Sequence, residues 1–434
     1  MNGVGQIILR KKRSTKSMFR MNERVMMKAL VLAAGQGTRM GPLTENRPKP
    51  MLPVAGKPFL EHTINALRDA GVTEVQVLTG YHGISIKDYF GNGSSFGVRM
   101  DYIVQPRRLG TAHAISMASE AMDGPFLCLN GDVIVSGQLI EEMLRLFEAK
   151  KDTIMTLVEV KDTSRFGLVH VEGDRVIGIK EKSGEDMPGL INGGIYLFTE
   201  DIFKAVAETP ISPRGEYEIT QSIEILMEAH NVRAYIPREE WVDIGSPWDL
   251  LNAHEVYMEK LESGLEGKVE AGVTIKDDVF IAKGALVKSG TYMEGKVYID
   301  EGAVIGPNSY IRGSTYIGKD ARVGAASEVK NSIIMDRSNI PHHNYVGDSI
   351  IGSDCNLGSG TKVANLRLDD ANVPVTIKGE KVDSGRRKLG VIIGDDVKTG
   401  INATLDPGTM IYSGTRIGPG SKASGTIGKD SRVQ

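Results

Sequence analysis

Two glycines followed by two basic residues form the first segment of the sequence with the chemistry to bind phosphate. Gly35 and Gly37 come directly after an apolar run, and Arg39 and Lys49 follow them. Backbone N–H groups at glycine can approach phosphate oxygens, while a guanidinium and an ammonium group can neutralise a polyphosphate. The segment is not a dinucleotide fingerprint, because Met40 stands where the third glycine is required, and it is not a Walker A loop. A glycine-rich turn alone is more often only a turn, so phosphate binding stays a hypothesis at this point.

The elements around this loop alternate between strand and helix. Short apolar runs are separated by amphipathic stretches, and Gly71 stands where a C-cap glycine would end the first helix. The predicted strands cover residues 29–34, 75–79, 102–104 and 126–129, and the predicted helices cover residues 59–70 and 111–122. This alternation predicts an α/β, Rossmann-like domain with a largely parallel sheet, which binds ligands beyond the carboxyl ends of its strands. The glycine loop lies at such an end.

The longer sequence around the loop resembles the signature of the sugar-nucleotide pyrophosphorylases, which are nucleotidyltransferases that act on sugar 1-phosphates. The matching segments are residues 32–40, 42–44 and 47–58. The resemblance continues, in the order of the family, through residues 105–113, 130–132, 166–167, 181–182, 191–196 and 241–245. We therefore predict a pyrophosphorylase domain over residues 28–245.

This resemblance implies a reaction and a set of site residues. In the family, an oxygen of the sugar 1-phosphate attacks the α-phosphorus of a nucleoside triphosphate and pyrophosphate leaves, so catalysis depends on alignment and charge neutralisation. Arg39 and Lys49 match the catalytic basic pair, and Asp132 and Asp243 match the acids that hold Mg²⁺. The positions that match nucleotide-binding residues are Ala33, Ala34, Gly35, Gly37, Thr38, Gln105, Gly110 and Thr111. The positions that match the sugar-phosphate pocket are Gly167, Glu181, Lys182 and Asn192.

Several of these residues also have a purely structural explanation. Asp132 follows Asn130-Gly131 and could be a turn residue at the end of a strand. Glu181 and Lys182 lie in a charged stretch that is typical of a solvated hairpin. Asp243 could cap the next helix, although Ser246 followed by Pro247 is the better cap and first-turn pair. Taken singly, each residue favours the structural explanation; their occurrence together in family order favours the functional one.

Aliphatic residues recur every six positions in the second half of the chain. The first run extends from Val269 to Val329 without a slip, a second begins at Ile351, and a third begins at Ile393. This period is typical of a parallel β-helix, in which each short face of a coil contributes one residue to a stacked core. We predict a linker helix over residues 246–264 and a left-handed parallel β-helix over residues 265–434.

Two histidines, His342 and His343, lie where the repeat breaks, and the break predicts a loop that interrupts the core. The arrangement resembles the acetyltransferase domain of the bifunctional enzyme that makes UDP-N-acetylglucosamine and of its archaeal counterparts. The resemblance implies that His342 is a general base for acetyl transfer to a sugar amine, a role that an imidazole suits at neutral pH. The implied substrate contacts are Arg312 and Lys330 for phosphate, Tyr345 and Asn356 for the sugar, and Asn365 at the acetyl-CoA junction. The resemblance also implies a homotrimer with acyl-CoA bound between neighbouring subunits.

The second half departs from the bacterial pattern at two places. Residues 366–388 are inserted after Asn365 and end in the basic cluster Arg386-Arg387-Lys388. Ile401 stands where the bacterial pattern has a small polar residue near the thioester. The basic cluster could meet the phosphates of the coenzyme or be part of a solvated loop. These departures leave the contacts to acyl-CoA open.

Composition excludes several classes of protein. The net charge of -3 argues against a dedicated nucleic-acid-binding protein, and the two cysteines are too few for a disulfide framework. No apolar run approaches the length of a membrane span, so we expect a cytoplasmic protein with no membrane partner. Residues 1–27 carry seven basic residues and one acid. They could be a targeting peptide or a basic arm, but the strand pattern that begins at Lys28 favours Met26 or Met27 as the true start.

The sequence therefore predicts a bifunctional enzyme of nucleotide-sugar synthesis. The β-helix would N-acetylate glucosamine 1-phosphate or galactosamine 1-phosphate with acetyl-CoA. The amino-terminal domain would transfer a nucleotidyl group from UTP or dTTP to N-acetylglucosamine 1-phosphate or glucose 1-phosphate, with Mg²⁺. One alternative is a thymidylyl-, uridylyl-, adenylyl- or guanylyltransferase with a structural β-helix, and a second is a non-catalytic regulatory scaffold. The intact set Arg39, Lys49, Asp132 and Asp243 disfavours the scaffold.

Overall fold

The computed structural model describes residues 27–161, 163, 167–180, 187–238 and 241–434. The basic leader and two of the predicted sugar-phosphate residues, Glu181 and Lys182, lie outside the described residues.

The amino-terminal half is built on a nine-stranded mixed sheet. The strands of this half, four of which form two separate two-stranded sheets, are β1 (Lys28–Ala33), β2 (Pro53–Val54), β3 (Lys57–Pro58), β4 (Glu74–Thr79), β5 (Arg99–Val104), β6 (Phe126–Asn130), β7 (Val133–Ile134), β8 (Thr153–Val160), β9 (Leu168–Glu172), β10 (Arg175–Lys180), β11 (Gly189–Phe198), β12 (Val232–Tyr235) and β13 (Val242–Asp243). The order in the large sheet is β5-β4-β1-β6-β11-β8-β12-β10-β9. Strands β5, β4, β1 and β6 are parallel, as predicted, whereas β11 runs antiparallel to both β6 and β8. The parallel part places the ends of β1 and β6, and the loops that follow them, at one edge of the sheet.

In the described part of the chain, seven α-helices cover this sheet and lead out of it. They are α1 (Phe59–Asp69), α2 (Gly83–Phe90), α3 (Thr111–Ser116), α4 (Gly137–Lys150), α5 (Ile202–Glu208), α6 (Ile219–Ala229) and α7 (Pro247–Met258), with short 3-10 turns at Thr38–Thr44, Lys49–Met51 and Ser94–Phe96. Gly71 has φ 83° and ends α1, as predicted. The predicted helix over residues 111–122 is shorter, because after Ser116 the chain tightens into i→i+3 bonds such as Ala118 N to Ile115 O at 3.0 Å. None of the helices in the described part of the chain is both long and apolar enough to cross a membrane.

The carboxy-terminal half is a parallel β-helix of the left-handed type, with three sheets. The first sheet contains Gly264–Leu265, Val279–Ile281, Val297–Ile299, Thr315–Ile317, Ile333–Ile334, Ile350–Ile351, Ile392–Ile393, Met410–Ile411 and Thr426–Ile427. The second contains Lys268–Val269, Leu286–Val287, Val304–Ile305, Arg322–Val323, Asn339–Ile340, Asn356–Leu357, Lys398–Thr399, Arg416–Ile417 and Arg432–Val433. The third contains Thr274–Ile275, Tyr292–Glu294, Tyr310–Arg312, Glu328–Lys330, Tyr345–Gly347, Lys362–Val363, Thr404–Leu405 and Lys422–Ala423. The aliphatic residues of the six-residue repeat point inward and form one stacked core.

The prediction of a core-breaking loop around the two histidines was wrong. Ile340 and Val346 are fully buried in the same stacked core, in strands that flank the histidines. The core position after Val329 is Ile334, which comes five residues later, and Val346 is again followed after five residues by Ile351. These two shortened steps shifted the phase of the repeat and made a continuous β-helix look interrupted.

The inserted residues 366–388 form a hairpin that leaves the coil and returns to it. Its strands are Pro374–Ile377 and Glu380–Asp383, and a bridge between Leu366 and Lys388 closes its base. The hairpin does not disturb the core, because Ile350–Ile351 still pairs directly with Ile392–Ile393 of the following coil.

The two halves share a second apolar core. The first sheet of the β-helix packs against α7 and the loops that follow the glycine turn, and the buried residues of this cluster include Met40, Leu43, Leu52, Val54, Ile244, Trp248, Ile333, Met335, Ile350, Ile392 and Met410. His254 of α7 is fully buried in this region, where its Nδ1 accepts a hydrogen bond from Ala55 N at 3.0 Å. Burial lowers the pKa of His254 to about 3, so this histidine is neutral and structural.

We expect Ile392→Ala to lower the free energy of unfolding by about 2–5 kcal/mol, because Ile392 is completely buried between the two halves and its truncation leaves a cavity. Ile177→Ala is the matched control, since Ile177 is 56% exposed and should change stability by less than about 0.5 kcal/mol. Denaturant unfolding measures both values. Equal effects for the two variants would contradict the buried interface.

Candidate functional site

The glycine loop lines a cavity of about 840 Å³ at the carboxyl edge of the parallel strands. The predicted residues that line this cavity are Ala33, Ala34, Gly35, Gly37, Thr38, Arg39, Lys49, Gln105, Gly110, Thr111 and Asp132. Gly37 has φ 65°, and a Cβ at this position would lie 3.0 Å from Lys49 Cβ. Glycine is therefore required at position 37 both for its backbone conformation and for the close approach of Lys49.

Lys49 and Asp132 form an ion pair on the wall of this cavity. Lys49 Nζ lies 2.8 Å from Asp132 Oδ2, and the lysine side chain is 7% exposed. Burial opposes ionisation of Asp132, but the charges of Lys49 and Arg39 prevail and hold the pKa of this carboxyl below its usual value. The pair is therefore ionised, and it places a fixed cation beside a fixed carboxylate.

Asp243 is brought next to Asp132 by the short antiparallel pairing of β13 with β7. Asp243 pairs with Val133 across this ladder, and Ile244 N donates to Asp132 O at 3.0 Å. Burial and the nearby charge of Asp132 raise the pKa of Asp243 to about 6. The two predicted acids thus lie close enough to interact, and Asp132 lines the cavity.

Arg39 and a third acid, Asp249, share the space around Gly245. A Cβ on Gly245 would lie 3.4 Å from each of Arg39 Nη1, Asp243 Oδ2 and Asp249 Oδ2. Asp249 Oδ2 accepts a hydrogen bond from Ser246 N at 2.7 Å and belongs to the capping box of α7. The sequence prediction omitted Asp249, although the spacing Ser246-x-x-Asp249 before an apolar helix is the pattern that would have indicated it.

The acids fit a hard divalent cation that is completed by substrate. Within the described residues no group of three His, Cys, Asp or Glu side chains forms a closed metal site. Mg²⁺ commonly binds one or two carboxylates and takes its other ligands from phosphate and water. Asp132 and Asp243 supply such a partial ligand set.

Gln105 is buried and also lines the cavity. Gln105 Nε2 lies 3.0 Å from His113 Nδ1, a residue whose role the sequence did not predict. Gly110 has φ 106°, and a Cβ there would meet Tyr217 O at 2.2 Å. Thr111 Oγ1 accepts from Ile219 N at 3.0 Å, so this hydroxyl fixes the cavity wall.

The described sugar-phosphate residues are not in the phosphate cavity. Asn192 Nδ2 lies 2.6 Å from Tyr196 OH, and Asn192 Oδ1 accepts from Gly194 N at 3.0 Å. Gly167 directly precedes β9 and is half-buried. The structure therefore assembles the nucleotide half of the predicted site but does not bring Gly167 or Asn192 to the same lining.

A second cluster of predicted residues lies on the third sheet of the β-helix. Arg312 and Lys330 are register neighbours, and Tyr345 is one coil beyond Glu328. Each cation has an acidic partner: Arg312 Nη2 lies 2.7 Å from Glu328 Oε1, and Lys330 Nζ lies 2.9 Å from the buried Asp348.

Asn365 completes this cluster. Asn365 Nδ2 lies 2.5 Å from Asp348 Oδ2 and 3.3 Å from Tyr345 OH. Asp348 thus contacts both Lys330 and Asn365 and holds the cluster together. Asp348 was not predicted, and its position in the turn after Tyr345 gave no separate indication in the sequence.

His342 lies at the edge between the second and third sheets. Gly360 N donates to His342 O at 3.0 Å, and Asn402 N donates to Ser359 O at 2.8 Å, so His342, Ser359 and Ile401 occupy equivalent turn positions on successive coils. The imidazole is exposed. Asn356 belongs to the second sheet, on the opposite side of this edge from Tyr345. The predicted residues therefore lie on both sides of one edge.

The basic cluster at the end of the insertion contacts the amino-terminal half and its own loop. Arg386 Nη2 lies 2.6 Å from Glu255 Oε1 of α7, and Arg386 also contacts Asn252. Arg387 Nη2 lies 2.6 Å from Asp370 Oδ1. Arg386 thus joins the hairpin to α7.

Comparison with known proteins separates the chain into the same two parts. Residues 28–260 match the sequence model of the family described as Nucleotidyl transferase. Residues 293–389 match the model described as GMPPB C-terminal domain.

Relatives with similar sequences extend over both halves. The chain is 42% identical over 393 residues to the Bifunctional protein GlmU of Methanocaldococcus jannaschii, covering 90% of this chain and 93% of that protein. It is 38% identical over 405 residues to the Bifunctional sugar-1-phosphate nucleotidylyltransferase/acetyltransferase of Sulfurisphaera tokodaii, covering 93% and 98% of the two chains. A crystal structure described as a glucose-1-phosphate thymidylyltransferase from Bacillus anthracis superposes with a TM-score of 0.51 at 28% identity, over 55% of this chain and 98% of that one.

We expect the metal-free protein to lose stability relative to Asp243→Asn as the pH rises from about 4 to about 6. The folded state holds a proton on Asp243 up to a pKa of about 6, whereas an unfolded aspartate releases it near pH 3.9, so the folded state binds more protons in this window. The difference in unfolding free energy should reach at most about 3 kcal/mol.

Urea unfolding in the presence of a chelator measures this difference across the pH window. Asp88→Asn is the matched control, because Asp88 is exposed and its loss should leave the pH dependence of the wild type in place. An unchanged slope in Asp243→Asn would contradict a raised pKa at Asp243.

Proposed function

The chain belongs to the family of the bifunctional sugar-1-phosphate nucleotidylyltransferase/acetyltransferases, and on this premise we propose that its amino-terminal half joins UTP or dTTP to a sugar 1-phosphate and releases pyrophosphate. It is an enzyme of nucleotide-sugar synthesis with a nucleotidyltransferase domain. The observation that carries the proposal is the Lys49–Asp132 pair beside Asp243 in a cavity walled by the glycine loop. We also propose the boundaries 28–245 for this domain, 246–264 for the linker and 265–434 for the β-helix domain.

The proposed reaction needs alignment and charge neutralisation more than a protein nucleophile. The sugar-phosphate oxygen arrives ionised, attacks the α-phosphorus, and the bond to the leaving pyrophosphate breaks. Arg39 and Lys49 would neutralise the triphosphate, while the N–H groups from Gly35 to Thr38 would follow its oxygens. Asp132 and Asp243 would hold Mg²⁺, which supplies further neutralisation of phosphate charge when it is bound.

The two ends of the nucleotide have different partners in this proposal. The buried amide of Gln105 would pair with the edge of uracil or thymine, and Gly110 and Thr111 would form the wall beside the base. The sugar 1-phosphate would lie beyond the phosphates, with Gly167, Asn192, Glu181 and Lys182 as its contacts. N-acetylglucosamine 1-phosphate and glucose 1-phosphate are the proposed acceptors.

For the β-helix, we propose N-acetylation of glucosamine 1-phosphate or galactosamine 1-phosphate with acetyl-CoA. The sugar amine would attack the thioester carbonyl, His342 would take the proton of the amine, and coenzyme A would leave as a thiol once it has gained a proton. Arg312 and Lys330, each held by an acidic partner, would bind the sugar phosphate. Tyr345 and Asn356 would contact the sugar.

The coenzyme site and the oligomeric state belong to the same proposal. Asn365 would meet acetyl-CoA at its junction with the sugar, and the chain would form a homotrimer with the coenzyme between neighbouring subunits. Two exposed residues at the same edge, His342 and the 57% exposed Ile401, support a site that is completed from outside one chain. The contacts of Arg386 with Glu255 and Asn252 favour a structural role for this basic residue over coenzyme binding.

We expect wild-type protein to release pyrophosphate from UTP or dTTP with a sugar 1-phosphate, and Lys49→Met to lower kcat about 10²–10³-fold. The loss follows because the variant removes a preorganised charge from the phosphate site. A matrix of nucleoside triphosphates against sugar 1-phosphates, scored by pyrophosphate release, measures the activity and its specificity.

Lys57→Met is the matched control for this experiment. Lys57 is 51% exposed and pairs only with Glu61 at 2.9 Å among the contacts of the described residues, so its loss should leave kcat near the wild-type value. A chelator should abolish pyrophosphate release in both wild type and control. Undiminished turnover in Lys49→Met would refute the assigned phosphate site.

We expect His342→Asn to lower thiol release from acetyl-CoA about 10²–10⁴-fold, the range for removal of a general base, and to leave pyrophosphate release unchanged. His343→Asn is the matched control, because His343 has φ 53° and asparagine tolerates this backbone conformation. Comparable losses in the two variants would contradict the assignment of His342 as the general base. A wild type that releases no thiol would leave the β-helix with a structural role.

A further inference from the structure

The loop that carries both basic residues of the proposed nucleotidyl site reaches across to the β-helix. We define the signature loop as residues 38–51; Arg39 lies near one end and Lys49 near the other. Its middle packs on the first sheet of the β-helix: Gly41 approaches Met410 so closely that a Cβ there would lie 2.0 Å from Met410 Cε. Pro42 lies against Gly394 in the same way, with 3.0 Å between Pro42 Cβ and a Cβ built on Gly394.

One guanidinium nitrogen of Arg47, in the signature loop, bonds to both carboxylate oxygens of Asp395, in the β-helix, across this contact. Arg47 Nη2 lies 2.7 Å from Asp395 Oδ1 and 2.8 Å from Asp395 Oδ2. Both side chains are largely buried, with 19% and 17% exposure. Two charges withdrawn from water in this way hold each other firmly, because breaking the pair would leave a buried charge without compensation.

Asp395 is itself fixed by the β-helix and by a second residue of the loop. It accepts hydrogen bonds from Ser353 N at 2.8 Å and from Asn46 Nδ2 at 3.0 Å. Ser413 of the next coil completes the attachment, since its N–H donates to Glu45 Oε2 at 2.8 Å. Three consecutive residues of the loop, 45–47, are thus tied to two coils of the β-helix.

The short chain between this attachment and Lys49 is stiff. Arg47 is followed by Pro48, and Lys49 is followed by Pro50, so the backbone between Arg47 and Lys49 has little freedom. A 3-10 turn fixes Lys49–Met51, with Met51 N donating to Pro48 O at 2.9 Å. A shift at Arg47 is therefore carried to Lys49.

We propose that Asp395 is a positioning residue for nucleotidyl transfer: from the β-helix it holds Arg47 and thereby sets the place of Lys49 against the phosphates. The inference rests on the proposed function of the amino-terminal half. It gives the β-helix a role in the reaction of the other domain, separate from its own proposed acetyl transfer. Because a small displacement of a charged group lowers catalysis more than binding, the effect belongs to kcat.

The test compares two aspartates that each accept two short bonds from an arginine side chain. Asp395→Asn should lower kcat for pyrophosphate release about tenfold, leave KM for the sugar 1-phosphate within about twofold, and leave thiol release from acetyl-CoA unchanged. Asp369→Asn is the control, because Asp369 accepts two bonds of 2.8 and 2.5 Å from Arg367 and is 56% exposed, with no contact to the signature loop among the described residues. This control should change neither activity.

Two further variants separate positioning from a general loss of structure. Arg47→Lys keeps the charge but loses the planar guanidinium that contacts Asp395, Ser353 and Met335, so it should lower kcat about threefold with an unchanged melting temperature. The double variant Arg47→Lys with Asp395→Asn should be no worse than Asp395→Asn alone, because both changes act through one contact.

The outcomes distinguish this inference from the proposed function. Equal losses of pyrophosphate and thiol release in Asp395→Asn, or a kcat equal to that of the wild type, would overturn the positioning role. A wild type that releases no pyrophosphate with any nucleoside triphosphate would instead overturn the proposed function itself.

Discussion

The buried contact between Lys49 and Asp132 is the interaction on which the amino-terminal site depends. A lysine can lie this deep only with a carboxylate at hydrogen-bond distance, because an isolated ammonium group would lose its hydration without compensation. Gly37 must lack a side chain so that the lysine stem can pass. The ladder that places Asp243 beside Asp132 brings a second carboxyl into the same field, where burial and the charge of Asp132 raise its pKa to about 6. Glycine loop, cation and acids therefore form one electrostatic unit.

The β-helix imposes a second constraint, since its first sheet presents an apolar surface to the amino-terminal half. Trp248 and Ile244 pack on it just after the carboxylate Asp243. Helix α7 then runs from its capping box at Ser246 to Glu255, which accepts from Asn331 Nδ2 at 2.8 Å. Asn331 also donates to Asp348, the acid that holds Lys330 and Asn365. One helix thus connects the surroundings of the two candidate sites through continuous contacts.

Much of this arrangement could be predicted because it is encoded in local patterns. The six-residue period determined the β-helix, and the order of motifs around Gly35, Lys49 and Asp132 indicated the phosphate cavity. The shortened steps after Val329 and after Val346 could not be recognised, since each change of one residue in phase looks the same as a loop when only the sequence is available. The partners Asp348 and Asp395 were also missed. Each acts through a residue distant in sequence, and only the stacking of coils brings that residue near.

The shared apolar cluster between the halves makes the two parts poor independent modules. If the chain were cut after α7, the separated β-helix would expose a contiguous apolar patch on neighbouring strands, formed by Ile333, Ile350, Ile392 and Met410. An exposed apolar patch of this kind on a β-helix promotes self-association. To use either half alone in protein engineering, the apolar residues of this surface would first have to be replaced by polar ones.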